Sequence, residues 1–390
     1  MTTRLAAIAT LLIAGIFAGA QLGKIAPLVG WYQQEAGFSL VLIGWLTSMI
    51  GIFVALAAST AGWAIDIFGV RRSVVVGSAF LAAGALALTV LQRPEAILAA
   101  RLVEGLGYLV LVVALPAVLT AISRRSWRAP VLAIWSCFVP VGYAISDLLA
   151  QALLPSVGPS LYLLVMAAGY ILFGGIGILL LPRVPDIEIE PAPDAATGAF
   201  AATINLPVLL VALSFGFFVI QSVSFFTFTP AFIAGGGGLL LSAGAITLFT
   251  PVGNVLAGFL VSGAGARGIA LIAAIFLALT IVAAYPVFTG ASPLVATVCA
   301  VAFCIVCGVV GSALFAIIPS IVGRGGSVSI AIGLVAQAGG IGTLFGPPVA
   351  AWVIEGYGWN GLGVLLAAIG LAGLVAILPN VLRRPEPATV

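Results

Sequence analysis

Runs of uncharged, mostly apolar residues recur along the whole chain and are long enough to cross a lipid bilayer. Leu40 to Ala64 and Leu161 to Leu181 contain no charged residue, and a membrane-spanning helix needs roughly 20 apolar residues. Backbone amides in hydrocarbon must find partners internally, so only helices and closed β-barrels span a bilayer. These runs lack the alternation that marks barrel strands. The sequence therefore predicts an all-α membrane protein.

The composition excludes a water-soluble protein. Charged residues make up 6% of the chain and hydrophobic residues 63%, whereas about 25% of the residues of a soluble domain are charged. The sequence has no histidine, and Cys304 and Cys307 form an isolated CxxC spacing, so we expect neither a metal site nor a cofactor. No stretch predicts a soluble domain for nucleotide chemistry. We expect neither an enzyme nor a nucleic-acid partner.

Turn residues and charges divide the chain into twelve predicted spans in two sets of six. The first set is Leu5 to Val29, Leu40 to Ala64, Ser73 to Leu91, Ile97 to Ile122, Val131 to Leu154 and Leu161 to Leu181. The second set is Leu206 to Phe232, Leu239 to Val261, Ile269 to Phe288, Leu294 to Ile318, Val328 to Ile354 and Leu362 to Val381. The stretch between the sets holds four prolines and four carboxylates. We therefore predict a six-helix bundle over 1–181, a solvated linker over 182–205 and a second six-helix bundle over 206–390.

The arginines are sorted to one side of the predicted membrane. Eleven of the fourteen basic residues lie near a chain end or in an even-numbered loop: Arg4, Arg71, Arg72, Arg124, Arg125, Arg128, Arg183, Arg267, Arg324, Arg383 and Arg384. Short loops that are rich in arginine stay in the cytoplasm. We therefore expect a multi-pass protein of the bacterial inner (cytoplasmic) membrane, with both termini and the central linker in the cytoplasm.

A short pattern occurs once in each half of the chain. Four residues that follow the second span return 196 residues later: Gly62, Asp66, Gly69 and Arg71 correspond to Gly258, Ser262, Gly265 and Arg267. The matching places within the topology indicate a duplication, so we expect two parallel repeats of six spans. Serine replaces the carboxylate in the second copy.

The segment from Gly62 to Arg72 resembles the signature between helices two and three of the major facilitator superfamily. The resemblance implies a major facilitator fold of twelve helices and a secondary transporter that exposes one central site to each side in turn. In the family this loop is a conformational latch, which here would consist of Gly62, Asp66, Gly69, Arg71 and Arg72. The alternative is a charged turn that only obeys the positive-inside rule.

Further motifs narrow the resemblance. Arg101 to Gly107 looks like the family's second motif, an arginine followed by a polar residue and paired glycines. Nearly the whole chain is similar to cyanate-permease-like bacterial uptake proteins, through Gly23-Lys24 with Pro27, Gly44-Trp45, Gly253-Asn254 and Gly346-Pro347-Pro348. The family's antiporter motif, a GPxxGG run in the fifth helix, is absent. Its absence argues against drug and proton exchange.

Four charged residues within the spans are candidates for substrate binding or coupling, because a charge at membrane depth is costly unless it is paired or hydrated. Arg101 and Glu104 lie three residues apart on one face of the fourth span, where the alternative is a purely structural pair. Lys24 either contacts the substrate or a carboxylate, or snorkels to the outer interface. Asp147 either carries a coupling proton or neutralises a cation from another span.

Aromatic and amide side chains form a second group of candidates. They are Trp135, Tyr143, Phe218, Gln221, Phe225 and Gln337. A cavity that combines such rings and amides suits a planar heterocycle, which it would bind by stacking and hydrogen bonding. The alternative is that the rings pack against lipid or other helices.

These patterns predict a permease that takes up a small organic nutrient, with a vitamin-like heterocycle such as riboflavin as one candidate. Small organic anions are the alternative substrates, because Lys24 and Arg101 are cationic. Proton-coupled drug efflux is a further alternative, and a membrane sensor without transport activity represents a different class. We expect a monomer in the lipid bilayer, with the proton as coupling ion.

Overall fold

The computed structural model of the chain describes residues 2–124, 127–181, 201–323 and 325–382. Every regular element within these residues is helical. The α-helices of the first half are α1 (Thr2–Gly23), α2 (Val29–Gln34), α3 (Leu40–Ser48), α4 (Ile52–Phe68), α5 (Val70–Ala87), α6 (Pro94–Ile122), α7 (Arg128–Trp135) and α8 (Phe138–Leu180). Those of the second half are α9 (Leu206–Ala234), α10 (Ala243–Thr247), α11 (Thr250–Val261), α12 (Ala266–Phe288), α13 (Pro293–Ala316), α14 (Ile318–Ile321) and α15 (Val328–Leu382). Residues 182–200 of the predicted linker lie outside the described residues, so the domain boundaries stay predictions.

Two of these helices each contain two membrane spans. A glycine with positive φ breaks each of them: Gly158 (φ 72°) in α8 and Gly358 (φ 69°) in α15. Glycine adopts this conformation without side-chain strain. The chain reverses at Gly158, because the Tyr162 hydroxyl donates a hydrogen bond of 3.2 Å to the Ser146 carbonyl on the other side of the break. Ten segments of the described residues are long and apolar enough to cross a membrane, and dividing these two gives the twelve predicted spans.

The spans run alternately between two faces of the molecule. The terminal face contains the chain start and the turns at Gly69, Ser123, Gly263 and Gly323. The distal face lies at the opposite end and contains the turns at 35–39, 88–93, 158, 235–242, 289–292 and 358. The even-numbered loops that the structure describes therefore share the terminal face, as the alternation of the spans requires.

Glycines let the two bundles approach closely at two crossings. Gly44 in α3 lies against the Pro347-Pro348 pair of α15, where an added methyl group would come within 2.8 Å of the Pro348 Cα. Gly244 in α10 lies against α8, where such a group would come within 2.8 Å of the Ala144 carbonyl oxygen. Gly44 and Gly244 are 200 residues apart, as are the glycines at the two reversals. The two crossings are therefore counterparts in a repeated structure.

A pair of glycines on α11 tests how tightly the second bundle packs. An added methyl group at Gly253 would come within 2.8 Å of the Ile305 carbonyl carbon, whereas nothing lies within 4 Å of one at Gly258. We expect Gly253→Ala to lower the free energy of unfolding by about 1–3 kcal/mol through overpacking. Gly258→Ala should leave it unchanged or raise it slightly, because alanine favours the helix. Thermal unfolding in detergent measures both, and equal midpoints would contradict the close packing at Gly253.

Candidate functional site

Three buried charged side chains form one network inside the first bundle. Glu104 pairs with two cations: its Oε1 lies 2.5 Å from the Lys24 Nζ, and its Oε2 lies 2.6 Å from the Arg101 Nη1. Arg101 and Glu104 share a face of α6 because they are three residues apart. Lys24 directly follows Gly23, the last residue of α1. None of the three side chains has exposed surface, so the structure brings three predicted candidates together.

Neighbouring carbonyl groups complete the network. Arg101 donates hydrogen bonds to the backbone carbonyl oxygens of Gln21 and Leu46 at 2.7 Å each, and to that of Thr47 at 2.9 Å. Leu46 and Thr47 lie in the last turn of α3, directly before a short 3-10 turn. The last carbonyls of a helix lack partners within it, so they can accept from the guanidinium. Lys24 also donates to the Gln21 Oε1 at 2.7 Å. The network therefore ties α1, α3 and α6 together.

The network carries one excess positive charge, because Lys24 and Arg101 share a single carboxylate. The snorkelling alternative for Lys24 is wrong, since its side chain is fully buried and contacts Glu104. A buried charge that loses its partner is strongly destabilising. The carboxylate is therefore the group on which both cations depend.

The second bundle repeats part of this arrangement without its charges. Gln21 donates to the Met166 carbonyl at 2.9 Å, and Gln221 donates to the Leu366 carbonyl at 2.8 Å. The two bonds are related by a shift of 200 residues, which replaces Lys24 by serine and Glu104 by Cys304. The Gln221 Oε1 is buried without a hydrogen-bond partner among the described residues. The charged network therefore belongs to the first bundle, a difference that the sequence pattern at a shift of 196 did not reveal.

Asp147 connects the two bundles. Its Oδ2 accepts a hydrogen bond of 2.7 Å from the backbone N–H of Gly244 in α10 and one of 2.5 Å from the Gln151 amide. No lysine or arginine among the described residues forms an ion pair with Asp147. The expectation that it neutralises a cation is therefore wrong, and the coupling alternative stays a prediction.

Glu355 makes a second contact of this kind, which sequence reasoning missed. Its Oε1 accepts hydrogen bonds from the backbone N–H groups of Leu40 at 2.6 Å and Val41 at 3.2 Å. These are the first residues of α3, which belongs to the other bundle. Ser39, the residue before α3, is the only related signal in the sequence, because serine commonly caps a helix start. It does not reveal which carboxylate lies nearby.

Uncharged polar groups also meet between the bundles. The Asn254 amide in α11 donates to the Cys137 Sγ at 2.9 Å, and the Ser312 hydroxyl donates to the Asn254 Oδ1 at 3.3 Å. Cys137 lies in the first bundle, whereas Asn254 and Ser312 lie in the second. Gly253-Asn254 contributed to the family resemblance, but the sequence did not single out Asn254 as a site residue.

Two predicted aromatic residues lie beside these contacts. The rings of Trp135 and Phe138 stack with centroids 4.7 Å apart, on either side of the junction between α7 and α8. Tyr143 shares a hydrogen bond of 3.2 Å with the Thr227 hydroxyl of α9, and its ring centroid lies 5.6 Å from that of Phe226. The Tyr143 hydroxyl therefore contacts the second bundle, and the stacked rings adjoin Cys137, which Asn254 contacts.

Phe225 does not join these rings. It is fully buried within the second bundle, with its ring centroid 4.3 Å from that of Phe303 and 5.7 Å from that of Phe288. The expectation that one cavity combines Phe225 with Trp135 and Tyr143 is therefore wrong. A shared helical face does not tell whether a ring points to a cavity or to a packed core.

The remaining predicted residues make other contacts. Phe218 lies against Phe215 with ring centroids 5.8 Å apart. Gln337 donates a hydrogen bond of 3.2 Å to the Leu56 carbonyl, which joins α15 to α4 across the two bundles. Gln337 is therefore engaged with the protein in this structure.

A cavity of about 540 Å³ lies near the distal face, between the fifth, seventh and eighth spans. Its lining is mostly apolar and includes Pro27, Leu154 and Pro230. Gln151, which donates a hydrogen bond to Asp147, also lines this cavity. The contact between Asp147 and Gly244 thus lies beside a space that opens to the distal side.

The sequence of residues 11–341 matches the family model of the Major Facilitator Superfamily. The chain belongs to the major facilitator superfamily. It is therefore a membrane transporter rather than an enzyme, and the narrower resemblance to cyanate-permease-like proteins stays a prediction from the sequence motifs. No curated protein sequence matches the chain at a significant level.

Solved structures of other transporters share this major facilitator fold. A point mutant of the nucleoside transporter NupG is 16% identical with a TM-score of 0.71, over 97% of this chain and 99% of that one. The Escherichia coli xylose transporter XylE, in a partially occluded inward-open conformation, is 14% identical with a TM-score of 0.73 over 99% of each chain. A bacterial homologue of the human lysosomal transporter Spinster, inward-facing and unoccupied, is 16% identical with a TM-score of 0.75 over 99% of each chain.

The signature segment of this major facilitator protein forms a tight turn between α4 and α5. Gly69 has a φ of 83° and separates the two helices, which explains the need for glycine there. Arg71 and Arg72 are exposed at the start of α5. The side chain of Asp66 lies outside the described residues. The latch role of the segment stays a prediction.

Substitutions at Glu104 and Lys24 test the charge network. Glu104→Gln leaves two buried cations without a counter-charge, so we expect a loss of about 3–5 kcal/mol in the free energy of unfolding. Lys24→Gln keeps the neutral pair of Arg101 and Glu104 and should cost only about 1–2 kcal/mol. Thermal and denaturant unfolding of the purified protein measure both. A Lys24→Gln variant as unstable as Glu104→Gln would show that Glu104 does not hold the network.

Proposed function

We propose that this major facilitator protein takes up a small organic solute across the bacterial cytoplasmic membrane by secondary active transport. The two bundles would rock against each other and expose one site between them to each side in turn. The chemistry of the bundle interface carries the proposal, because an amide and a tyrosine hydroxyl find partners there and aromatic rings adjoin them.

The interface suits a planar heterocycle better than an ion. Asn254 supplies an amide, Tyr143 a hydroxyl, and Trp135 with Phe138 a stacked pair of rings. Such groups bind a flat, weakly polar molecule by stacking and hydrogen bonds. Arg101 is committed to four buried acceptors inside the first bundle. Riboflavin belongs to this class of vitamin-like heterocycles and is the first compound to test.

A small organic anion is the second candidate. The excess positive charge of the network supports it, because Lys24 and Arg101 share one carboxylate. The anion would have to reach the network from the bundle interface, and it would then supply the missing negative charge.

The arginine distribution supports an orientation with both termini in the cytoplasm. In this orientation the terminal face is cytoplasmic and the distal face is periplasmic. Uptake then begins at the distal face. We propose a monomer, since one chain contains both bundles of the fold.

Transport by purified protein in liposomes tests the proposed function. We expect riboflavin to accumulate, whereas a panel of small carboxylates does not. Trp135→Ala should weaken the apparent affinity about tenfold, because it removes one ring of the stack. Trp352→Ala is the matched control, since Trp352 is 60% exposed in α15.

Accumulation of a carboxylate without riboflavin would favour the second candidate. Absence of flux for every compound, with a folded protein, would favour a sensor. An equal change of the apparent affinity in both tryptophan variants would show that Trp135 does not bind the substrate.

Asp147 is the proposed proton-coupling group, because its carboxylate lies at a contact between the bundles. We expect Asp147→Asn to abolish accumulation against a gradient, since asparagine cannot carry the proton. Exchange of solute across the membrane should continue. Uptake and exchange in liposomes at several pH values measure the two activities. Accumulation with an unchanged pH dependence in Asp147→Asn would reject the role.

A further inference from the structure

Two carboxylates cross from one bundle to a helix start of the other. Asp147 in the fifth span accepts from the Gly244 N–H at the start of the eighth span, at 2.7 Å. Glu355 in the eleventh span accepts from the Leu40 N–H at the start of the second span, at 2.6 Å. Both contacts lie toward the distal face, where these two helices begin.

The helix starts need such partners. The first N–H groups of a helix have no acceptor within it, and carboxylates are favourable there because of the helix dipole. Ser39 and Ser242 each satisfy only one N–H group of their own helix, those of Leu42 and Ala245. The opposite bundle supplies acceptors for further N–H groups at both helix starts. Separation of the bundles at the distal face would leave these groups without their partners.

The two contacts join counterpart pairs of spans. In a repeat of six spans, the eleventh corresponds to the fifth and the second to the eighth. The carboxylates themselves are not at equivalent positions, since a shift of 200 residues aligns Asp147 with Pro347 and Glu355 with Pro155. The two halves therefore reach the same kind of contact through different residues, which duplication alone does not explain.

We propose that Asp147 and Glu355 form a paired latch that holds the distal face of the transporter closed. Each carboxylate caps a helix of the opposite bundle, so both contacts must break when the bundles part on this side. The latch rests on the alternating access proposed above. Asp147 forms one half of this latch, and Glu355 forms the other half on the opposite flank of the bundle interface.

Distance measurements across the distal face test the latch without any solute. Spin labels at Gln33 of the first bundle and Tyr357 of the second, both exposed, report distal opening in lipid nanodiscs. The background has its four cysteines replaced: Cys137, Cys299, Cys304 and Cys307. Labels at Phe68 and Ser262 report the terminal face in the same way. The measured quantity is the ratio of the population with a long distal distance to the population with a short one.

We expect Asp147→Ala and Glu355→Ala each to raise the long-to-short ratio about fivefold, the typical effect of losing a helix cap. The double variant should raise it roughly 25-fold, because the two contacts are separate and their effects add in free energy. The terminal-face distances should shorten in the same variants. Glu35→Ala, which removes an exposed carboxylate elsewhere on the distal face, is the matched control and should leave the ratio unchanged.

An unchanged ratio in the double variant, or an equal rise in Glu35→Ala, would overturn the latch. If the alanine variants do not fold, Asp147→Asn and Glu355→Gln decide. These keep an oxygen acceptor but lose the charge, so the latch predicts a smaller rise and an unchanged ratio contradicts it. If the latch variants alter the ratio but the purified protein takes up no solute in liposomes, the proposed function is contradicted and the latch is not.

Discussion

Hydrocarbon offers no water to a polar group, so each polar group of this chain at membrane depth needs a partner from the protein. Glu104 shows the constraint most strongly, because one carboxylate holds two fully buried cations. At the distal face, the first N–H groups of two helices likewise receive acceptors from the opposite bundle. Polar contacts in this protein therefore stabilise each bundle and also decide how the two bundles meet.

The two bundles come from one repeat but differ in chemistry. Gln21 and Gln221 make equivalent hydrogen bonds to carbonyl groups 145 residues further along the chain. Gln21 belongs to the charged network of the first bundle. In the second bundle, Phe225 follows Gln221 closely in the sequence and packs against Phe303. Buried ion pairs and hydrogen bonds stabilise the first bundle, and packing between aromatic rings stabilises the second. The proposed transport site lies between these two unlike bundles.

Patterns along the chain predicted the twelve spans, and the structure confirms them. Lys24, Arg101 and Glu104 were predictable as candidates, because any charge inside an apolar run is conspicuous. Their network was not predictable, since Lys24 and Glu104 are 80 residues apart and meet only when α1 packs on α6. The prediction for Phe225 failed for a related reason: periodicity shows which residues share a face, but not what that face contacts.

The sequence by itself determined the solvent, the number of spans and the sorting of arginines to one side, because transfer into lipid depends mainly on composition and segment length. Only the tertiary structure decided which group satisfies each buried charge and helix start, because those partners come from distant segments. Asp147 and Glu355 show why. They occupy non-equivalent positions of the repeat, so no comparison of the two halves reveals that both accept from helix starts of the opposite bundle.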